Sequence, residues 1–256
     1  MTQIERAQQF ASLHIKGDPL VLFNVWDAGS AKAVQEIGAK ALATGSWSVA
    51  AAQGYTDAEE VPLDVVTANL RRIVACVTLP VSLDFEGGYA READALKANI
   101  TRVIEAGAIG INFEDQIVGG EGIYSVQEQV ARITAIRQAA DETGVPLFIN
   151  ARTDIFLKAK PEQHSDTHLE EAIQRAHAYA EAGGSSFFAP GLADAKMIGT
   201  LCEQSPLPVN IMYLPYAPAP KQLAELGVAR ISYGPFPYRW MMESLKESGR
   251  KALALE

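Results

Sequence analysis

Glu105-Ala106-Gly107-Ala108-Ile109-Gly110-Ile111-Asn112-Phe113-Glu114 is the stretch that decides the fold. Gly107 stands between a helix-spaced segment and an apolar run, where a helix C′ residue turns left-handed and glycine does so at least cost. The run that follows is near-continuously apolar and short, as in a strand buried on both faces of a parallel sheet. It closes on a carboxylate. The same punctuation recurs at Glu36-Ile37-Gly38-Ala39, Glu181-Ala182-Gly183-Gly184 and Glu225-Leu226-Gly227-Val228.

Outward from that stretch, apolar runs over residues 20–24, 40–44, 79–84, 109–114, 146–150, 185–189, 207–211 and 229–233 predict eight strands. Helical spacing over 63–76, 92–106, 126–143 and 168–183 alternates with them. Eight β-then-α units predict an α/β fold of the (β/α)8 TIM type, a single domain over residues 1–256. The rival, a doubly wound open sheet, calls for a glycine-rich nucleotide loop after the first strand. Val25-Trp26-Asp27-Ala28-Gly29-Ser30 has neither the GxGxxG nor the Walker pattern.

Composition narrows the function. Lys+Arg total 22 against 31 Asp+Glu, a formal charge of −9, which argues against nucleic acid or an anionic membrane as a main partner. Cys76 and Cys202 make no disulfide framework and no metal-type spacing, which favours a reducing, cytoplasmic compartment. The first residues, with Glu5, Arg6 and Lys16, do not read as a signal peptide, and no run is long and apolar enough to span a membrane. The closing Leu255-Glu256 pair carries no weight.

In a barrel, chemistry collects where strands end. Here those ends offer Asp84 and Glu86 after the third run, Glu114 and Asp115 after the fourth, and Arg152 after the fifth, with Asp57 from the preceding loop. Carboxylates this close call for a cation, and Mg²⁺ holds such groups, often through water, while keeping positions open for substrate oxygens. Arg152 is a cationic fork suited to a carboxylate or phosphonate. Simpler readings stand beside these. Asp27 and Asp154 read as helix caps, Arg152 as an ion pair with Asp115 or Asp154, and Trp47 equally as pocket wall or packing. His14, His164, His168 and His177 read as surface residues, and the aromatic cluster 233–240 as packing for a C-terminal helix or a subunit contact.

Gly54-Tyr55-Thr56-Asp57, Leu83-Asp84-Phe85-Glu86-Gly87-Gly88-Tyr89, Gly110-Ile111-Asn112-Phe113-Glu114-Asp115-Gln116, Asn150-Ala151-Arg152-Thr153-Asp154 and Asn210 form a specific set. Together they resemble the isocitrate lyase / phosphoenolpyruvate mutase superfamily, in its small mutase-like branch, over residues 21–242. The resemblance implies a barrel whose last helix is swapped between subunits of a homodimer or homotetramer. It implies Mg²⁺ held by Asp84, Glu86 and Glu114, with Asp57 on a water or the metal shell. Asp57, Glu114 and Arg152 become the candidate catalytic residues. Gly45, Ser46 and Trp47, whose backbone N–H groups face an oxyanion, and Asn210 become the candidate substrate contacts. The shared chemistry breaks or moves a C–C or C–P bond beside a carbonyl through an enolate.

The departures are informative. Residues 116–125, Gln-Ile-Val-Gly-Gly-Glu-Gly-Ile-Tyr-Ser, lack the Lys-Lys/Arg-Cys-Gly-His loop of isocitrate and methylisocitrate lyases, which excludes both activities. The loop also lacks the Asn or Asn-Ser pair of the C–P enzymes. Glu86 stands where Asp is commoner, and Ala189-Pro190 where some relatives carry His or Glu. Gly119-Gly120-Glu121-Gly122 reads as a gate or as a plain surface turn. The expectation is a Mg²⁺-dependent lyase or decarboxylase cleaving a C–C bond of a small 2-oxo or 2-hydroxy dicarboxylic acid. The alternatives are a phosphonopyruvate mutase or hydrolase, and a barrel that binds an oxo-acid without turnover.

Overall fold

The protein is described by a computed structural model over residues 1–254, and Leu255-Glu256 lie outside the described residues. Eight strands form one sheet: β1 (Leu20–Leu22), β2 (Leu42–Ala43), β3 (Val81–Asp84), β4 (Gly110–Glu114), β5 (Phe148–Arg152), β6 (Ser186–Phe188), β7 (Val209–Met212) and β8 (Arg230–Ser232). Their order is β1-β8-β7-β6-β5-β4-β3-β2, every ladder parallel. Between β1 and β2 a lone parallel bridge, Val25 to Thr44, brings the edges together. Val25 N–H donates to the Ala43 carbonyl at 2.9 Å, and Gly45 N–H donates to the Val25 carbonyl at 3.3 Å. The result is a nearly closed TIM-like barrel, as the alternation predicts.

The helices are α1 (Gln3–Ser12), α2 (Ala28–Glu36), α3 (Ser46–Gln53), α4 (Leu63–Cys76), α5 (Ala93–Glu105), α6 (Val126–Thr143), α7 (Ile155–Lys158), α8 (Asp166–Glu181), α9 (Ala195–Gln204), α10 (Pro220–Glu225) and α11 (Phe236–Ala252). Local chemistry sets their ends. Asp27 caps α2 by accepting from Ser30 N–H, and Ser125 opens α6 in a reciprocal capping box with Glu128. On α4, Leu63, Val66, Leu70 and Ile73 form the buried stripe. Gly107 turns left-handed at φ +102°, and a Cβ there would come within 2.9 Å of Val74. Both the turn and the close approach of α4 require glycine at that point.

The barrel's lower end is sealed by α1. Phe10 and Phe148 meet edge-on, and His14 stacks on Phe148 with ring centroids 4.1 Å apart. His14 is therefore buried, not on the surface as its helical context predicts. Its Nδ1 lies 2.9 Å from the Phe10 carbonyl, and burial, helped by Arg230, pushes its pKa down to about 3. The other end, where β3, β4 and β5 terminate in acids and Arg152, is open.

Candidate active site

At the C-terminal ends of the strands a cavity of about 190 Å³ is lined on one side by Asp57, Asp84, Asn112 and Arg152. Leu157, Phe188, Pro190, Met212 and Pro235 supply its apolar lining, and Asn24 is a further polar residue there. Trp47, Ser46 and Gly45 lie along its edge and Ser232 lines it too.

Asp84 ends β3 and is the best-anchored acid. Its N–H donates to Thr44 Oγ1, and its Oδ2 accepts from Ser46 N–H, both at 2.9 Å. Asp57 follows α3 on a loop and keeps a buried Oδ1 with no protein partner. Burial, then the Asp84 charge, raises its pKa. Glu86 and Glu114 complete the acidic group, but their side chains turn elsewhere. Glu86 sits at φ +50°, a strained backbone for a residue with a Cβ. Its Oε2 accepts from Glu59 N–H at 2.8 Å and its Oε1 from the Tyr89 hydroxyl at 3.1 Å. Burial and the charges of Asp57 and Asp84 push Glu86 up to about 8. Glu114 pairs with Arg152, its Oε2 2.8 Å from Nη1, and burial raises its pKa well above the ordinary value despite that partner.

Arg152 is gripped from a second side. Its Nε and Nη2 donate to Asp154 Oδ1 and Oδ2 at 2.6 and 3.0 Å. Although burial opposes its charge, Asp154 and Glu114 hold its pKa well above the arginine norm. This bidentate pairing leaves N–H bonds on both Nη atoms for a ligand. Asp154 occupies the N-cap position of α7 without capping it, and orients Arg152 instead. Asp115 in turn fixes Asp154 by accepting its N–H at 2.9 Å, and it also accepts from Tyr179 (2.8 Å) and Arg175 (3.2 Å). Asp115 is thus part of a fully buried support rather than of the acidic rim.

Three expectations change at atomic detail. Of the Gly45–Trp47 amides, Gly45 N–H already serves the Val25 carbonyl and Ser46 N–H serves Asp84. Trp47 N–H, in the first turn of α3, is the one without a protein acceptor. Asn210 lies wholly buried below the cavity floor, where it exchanges hydrogen bonds with Ser232 at 3.1 and 3.3 Å. Ser232 lines the cavity and Asn210 does not. Among the described residues, no three His, Cys, Asp or Glu side chains converge tightly enough to grip one ion directly. Glu86, one methylene longer than Asp, spends both oxygens on protein donors. The donor set that remains, Asp84 with the unpartnered Asp57 Oδ1 and more distant acids, fits an ion that keeps most of its own waters. A divalent cation among these acids would turn their mutual repulsion into attraction.

Sequence reasoning offers Asp115 or Asp154 as the ion-pair partner of Arg152, and the structure selects Asp154. The Arg-x-Asp spacing at 152–154 fits that choice, since alternate residues near a strand share a face. What sequence reasoning missed is the support beneath Asp115. Arg175 and Tyr179 come from α8, distant in the chain, and carried no local signal.

A model of the phosphoenolpyruvate phosphomutase family matches residues 10–253. A Burkholderia cenocepacia J2315 structure provisionally assigned as a phosphonomutase is 47% identical, with a TM-score of 0.96 over 98% of this chain and 100% of that one. An uncharacterized Mycobacterium tuberculosis H37Rv protein is 36% identical over 231 residues, 90% of this chain and 83% of its own length. A phosphonopyruvate hydrolase solved with oxalate and Mg²⁺ shares only the fold, at 17% identity and a TM-score of 0.83 over 97% of this chain and 88% of that one. Barrel topology, the placement of acids and arginine at one rim, and the family match agree. The chain belongs to the phosphoenolpyruvate mutase / isocitrate lyase superfamily, which contains both C–C lyases and C–P bond enzymes.

Proposed function

We propose that this protein is a Mg²⁺-dependent lyase or decarboxylase that cleaves a C–C bond of a small 2-oxo or 2-hydroxy dicarboxylic acid through an enolate. The observation that carries this reading is the division of the cavity. The charged lining residues, Asp57, Asp84 and Arg152, come from the β2–β5 side of the rim, and the β6–β8 side is mostly apolar, with Ser232 its polar side chain. A carboxylate and the 2-oxygen suit the first side. An alkyl substituent at C3, as in an alkylmalate, suits the second.

Asp84 and, through water, Asp57, Glu86 and Glu114 would hold the Mg²⁺, which when bound would polarise the 2-oxygen. Arg152, fixed by Asp154 and Glu114, orients the second carboxylate through its free Nη protons. Trp47 N–H, at the positive end of α3, meets charge that develops on the substrate oxygen. With a 2-hydroxy acid, the hydroxyl proton passes to Asp57 Oδ1 as the C2=O bond forms. The C2–C3 electron pair goes to C3 and its carboxylate, and a proton then returns to that carbon. With a 2-oxo acid that loses CO₂, the C3–C4 pair instead flows toward the C2 oxygen, and C3 is protonated afterwards. Apolar walls keep water from the carbanion-like carbon in either case.

The second reading is C–P chemistry on a phosphonopyruvate-like acid, which the provisional assignment of the 47% identical relative favours. The loop over residues 116–125 disfavours it, since it lacks the Asn or Asn-Ser pair expected of the C–P enzymes. A Mg²⁺-supplemented screen of 2-oxo and 2-hydroxy diacids together with phosphonopyruvate, detecting pyruvate, glyoxylate, oxalate and phosphate, separates the readings. Pyruvate or glyoxylate without phosphate supports the first, and phosphate from phosphonopyruvate overturns it.

We also propose that the chain is a homodimer or homotetramer with α11 exchanged between subunits. Within one subunit Pro237 is the buried residue of α11, while Trp240, Met241 and Leu245 are exposed. Val21, which faces outward from β1, is 45% exposed, a high value for a barrel strand that an outer helix normally covers. A solution mass of one chain, by light scattering, would refute the exchange.

A further inference from the structure

Arg230 is the largest fully buried side chain among the described residues. It points into the barrel from β8 and has no carboxylate within salt-bridge distance among the described residues. Its Nε donates to Ser232 Oγ at 3.1 Å and its Nη2 to Asn112 Oδ1 at 3.0 Å, while Nη1 is buried without a partner. Ser232 and Asn112 both line the cavity above. Asn112 also receives the Asn150 amide at 2.8 Å, so one guanidinium fixes the amide orientation of a cavity residue from below.

An unpaired buried cation is costly, and apolar side chains of similar volume commonly replace buried ions without loss of stability. The charge therefore needs a compensating anion, and the fold supplies none in contact. Asp84, in the rim above, is the one group whose charge favours the protonated guanidinium, while burial pushes it down to about 9. Below it His14 is held neutral. The field of Arg230 is thus unopposed from beneath and directed at the rim, through a low-dielectric interior that screens it little.

We propose that Arg230 is a positioning residue that fixes Asn112 and Ser232 and places an uncompensated positive charge beneath the bound acid, favouring its enolate. The proposal rests on the enolate chemistry of the preceding section. It makes the chain's own anion-stabilising machinery two-sided, with Trp47 N–H and the metal shell at the rim and a fixed guanidinium under the floor.

The test compares Arg230→Met, Arg230→Gln and Arg230→Lys by thermal melting and by calorimetric titration with oxalate in the presence of Mg²⁺, oxalate being a planar dianion shaped like a 2-oxo-acid enolate. Arg230→Met is expected to melt at or above the wild-type temperature yet bind oxalate at least about tenfold more weakly. Arg230→Gln, which keeps a donor but not the charge, loses affinity similarly, and Arg230→Lys stays within about threefold. A purely structural arginine would give the opposite pattern. A methionine variant that melts more than about 5 °C lower, one that binds oxalate as the wild type does, or Gln and Lys variants of equal affinity overturns the proposal. Wild-type protein that binds no oxalate with Mg²⁺ overturns the enolate reading itself, and this inference falls with it.

Discussion

The two halves of the cavity rim use the same scaffold to opposite ends. From the β3–β5 side come Asp84, Arg152 and, behind them, Glu86 and Glu114, every one tied to a protein donor or acceptor. From the β6–β8 side come Phe188, Pro190, Met212 and Pro235, joined by Leu157 of α7. The first half is electrostatically frustrated, its carboxylates raised in pKa by burial and then by neighbouring carboxylate charges. The second half is mostly apolar, with Ser232 its polar side chain, held by Asn210 and Arg230. On the proposed reading, reaction type belongs to the first half and substrate choice to the second. Family members can share the acids and differ in what they cleave.

The largest effect should come from breaking the first half. Asp84→Ala removes the best-anchored acid and the acceptor of Ser46 N–H, and turnover of the substrate found in the screen should fall about 100-fold or more. Thermal melting should change little, because Asp84 is only partly buried. Full activity in this variant, measured at saturating Mg²⁺, would show that the acidic side is not the reactive one.

A smaller effect sharpens the second half. Leu157 is 45% exposed and faces the cavity, so Leu157→Asn should fold normally. It should lower kcat/KM for a C3-alkyl diacid about three- to tenfold relative to the unsubstituted diacid, the cost of one or two unburied methylenes. Equal losses on both substrates would mean that the apolar wall does not select.

The last prediction lies outside both halves, at the barrel's sealed end, and concerns stability and not turnover. His14 is neutral when folded, with a pKa of about 3, whereas the unfolded chain takes up that proton below about 6.5. Between those values the unfolded state binds more protons, so stability should fall as pH drops through the window, by up to about 1.4 kcal/mol per pH unit. Above pH 6.5 the residue contributes no slope. Urea midpoints at several pH values should fall less steeply for His14→Leu than for the wild type. Parallel curves would contradict the burial argument.

Much of this contrast could be read before the fold was in view. The helix-end glycines and apolar runs located all eight strands to within a few residues, because a parallel barrel strand buried on both faces has little freedom of composition. The ranges 63–76 and 126–143 match α4 and α6 residue for residue. The acids and Arg152 were legible for a related reason, since position at a strand's C-terminal end fixes where a side chain projects. What lay beyond reach depended on partners distant in the chain. Asp115 looked like a rim acid until Arg175 and Tyr179 of α8 claimed it. Asn210 looked like a ligand contact, but its register beside Arg230 sets it a layer too deep. The single methylene that separates Glu86 from Asp let it turn to Glu59 and Tyr89. Arg230 itself sat in an apolar run as an ordinary strand residue, and only its depth inside the barrel made it conspicuous.

The division of labour across the rim is tested most directly by a crystal structure grown with Mn²⁺ and oxalate, with the ion located by its anomalous signal. The account predicts one ion about 2.1 Å from an Asp84 carboxylate oxygen, its remaining shell supplied by oxalate and by waters that reach Asp57, Glu86 and Glu114. An ion elsewhere, or oxalate seated against Leu157 and Phe188 with Asp84 still bonded only to Ser46, would contradict it.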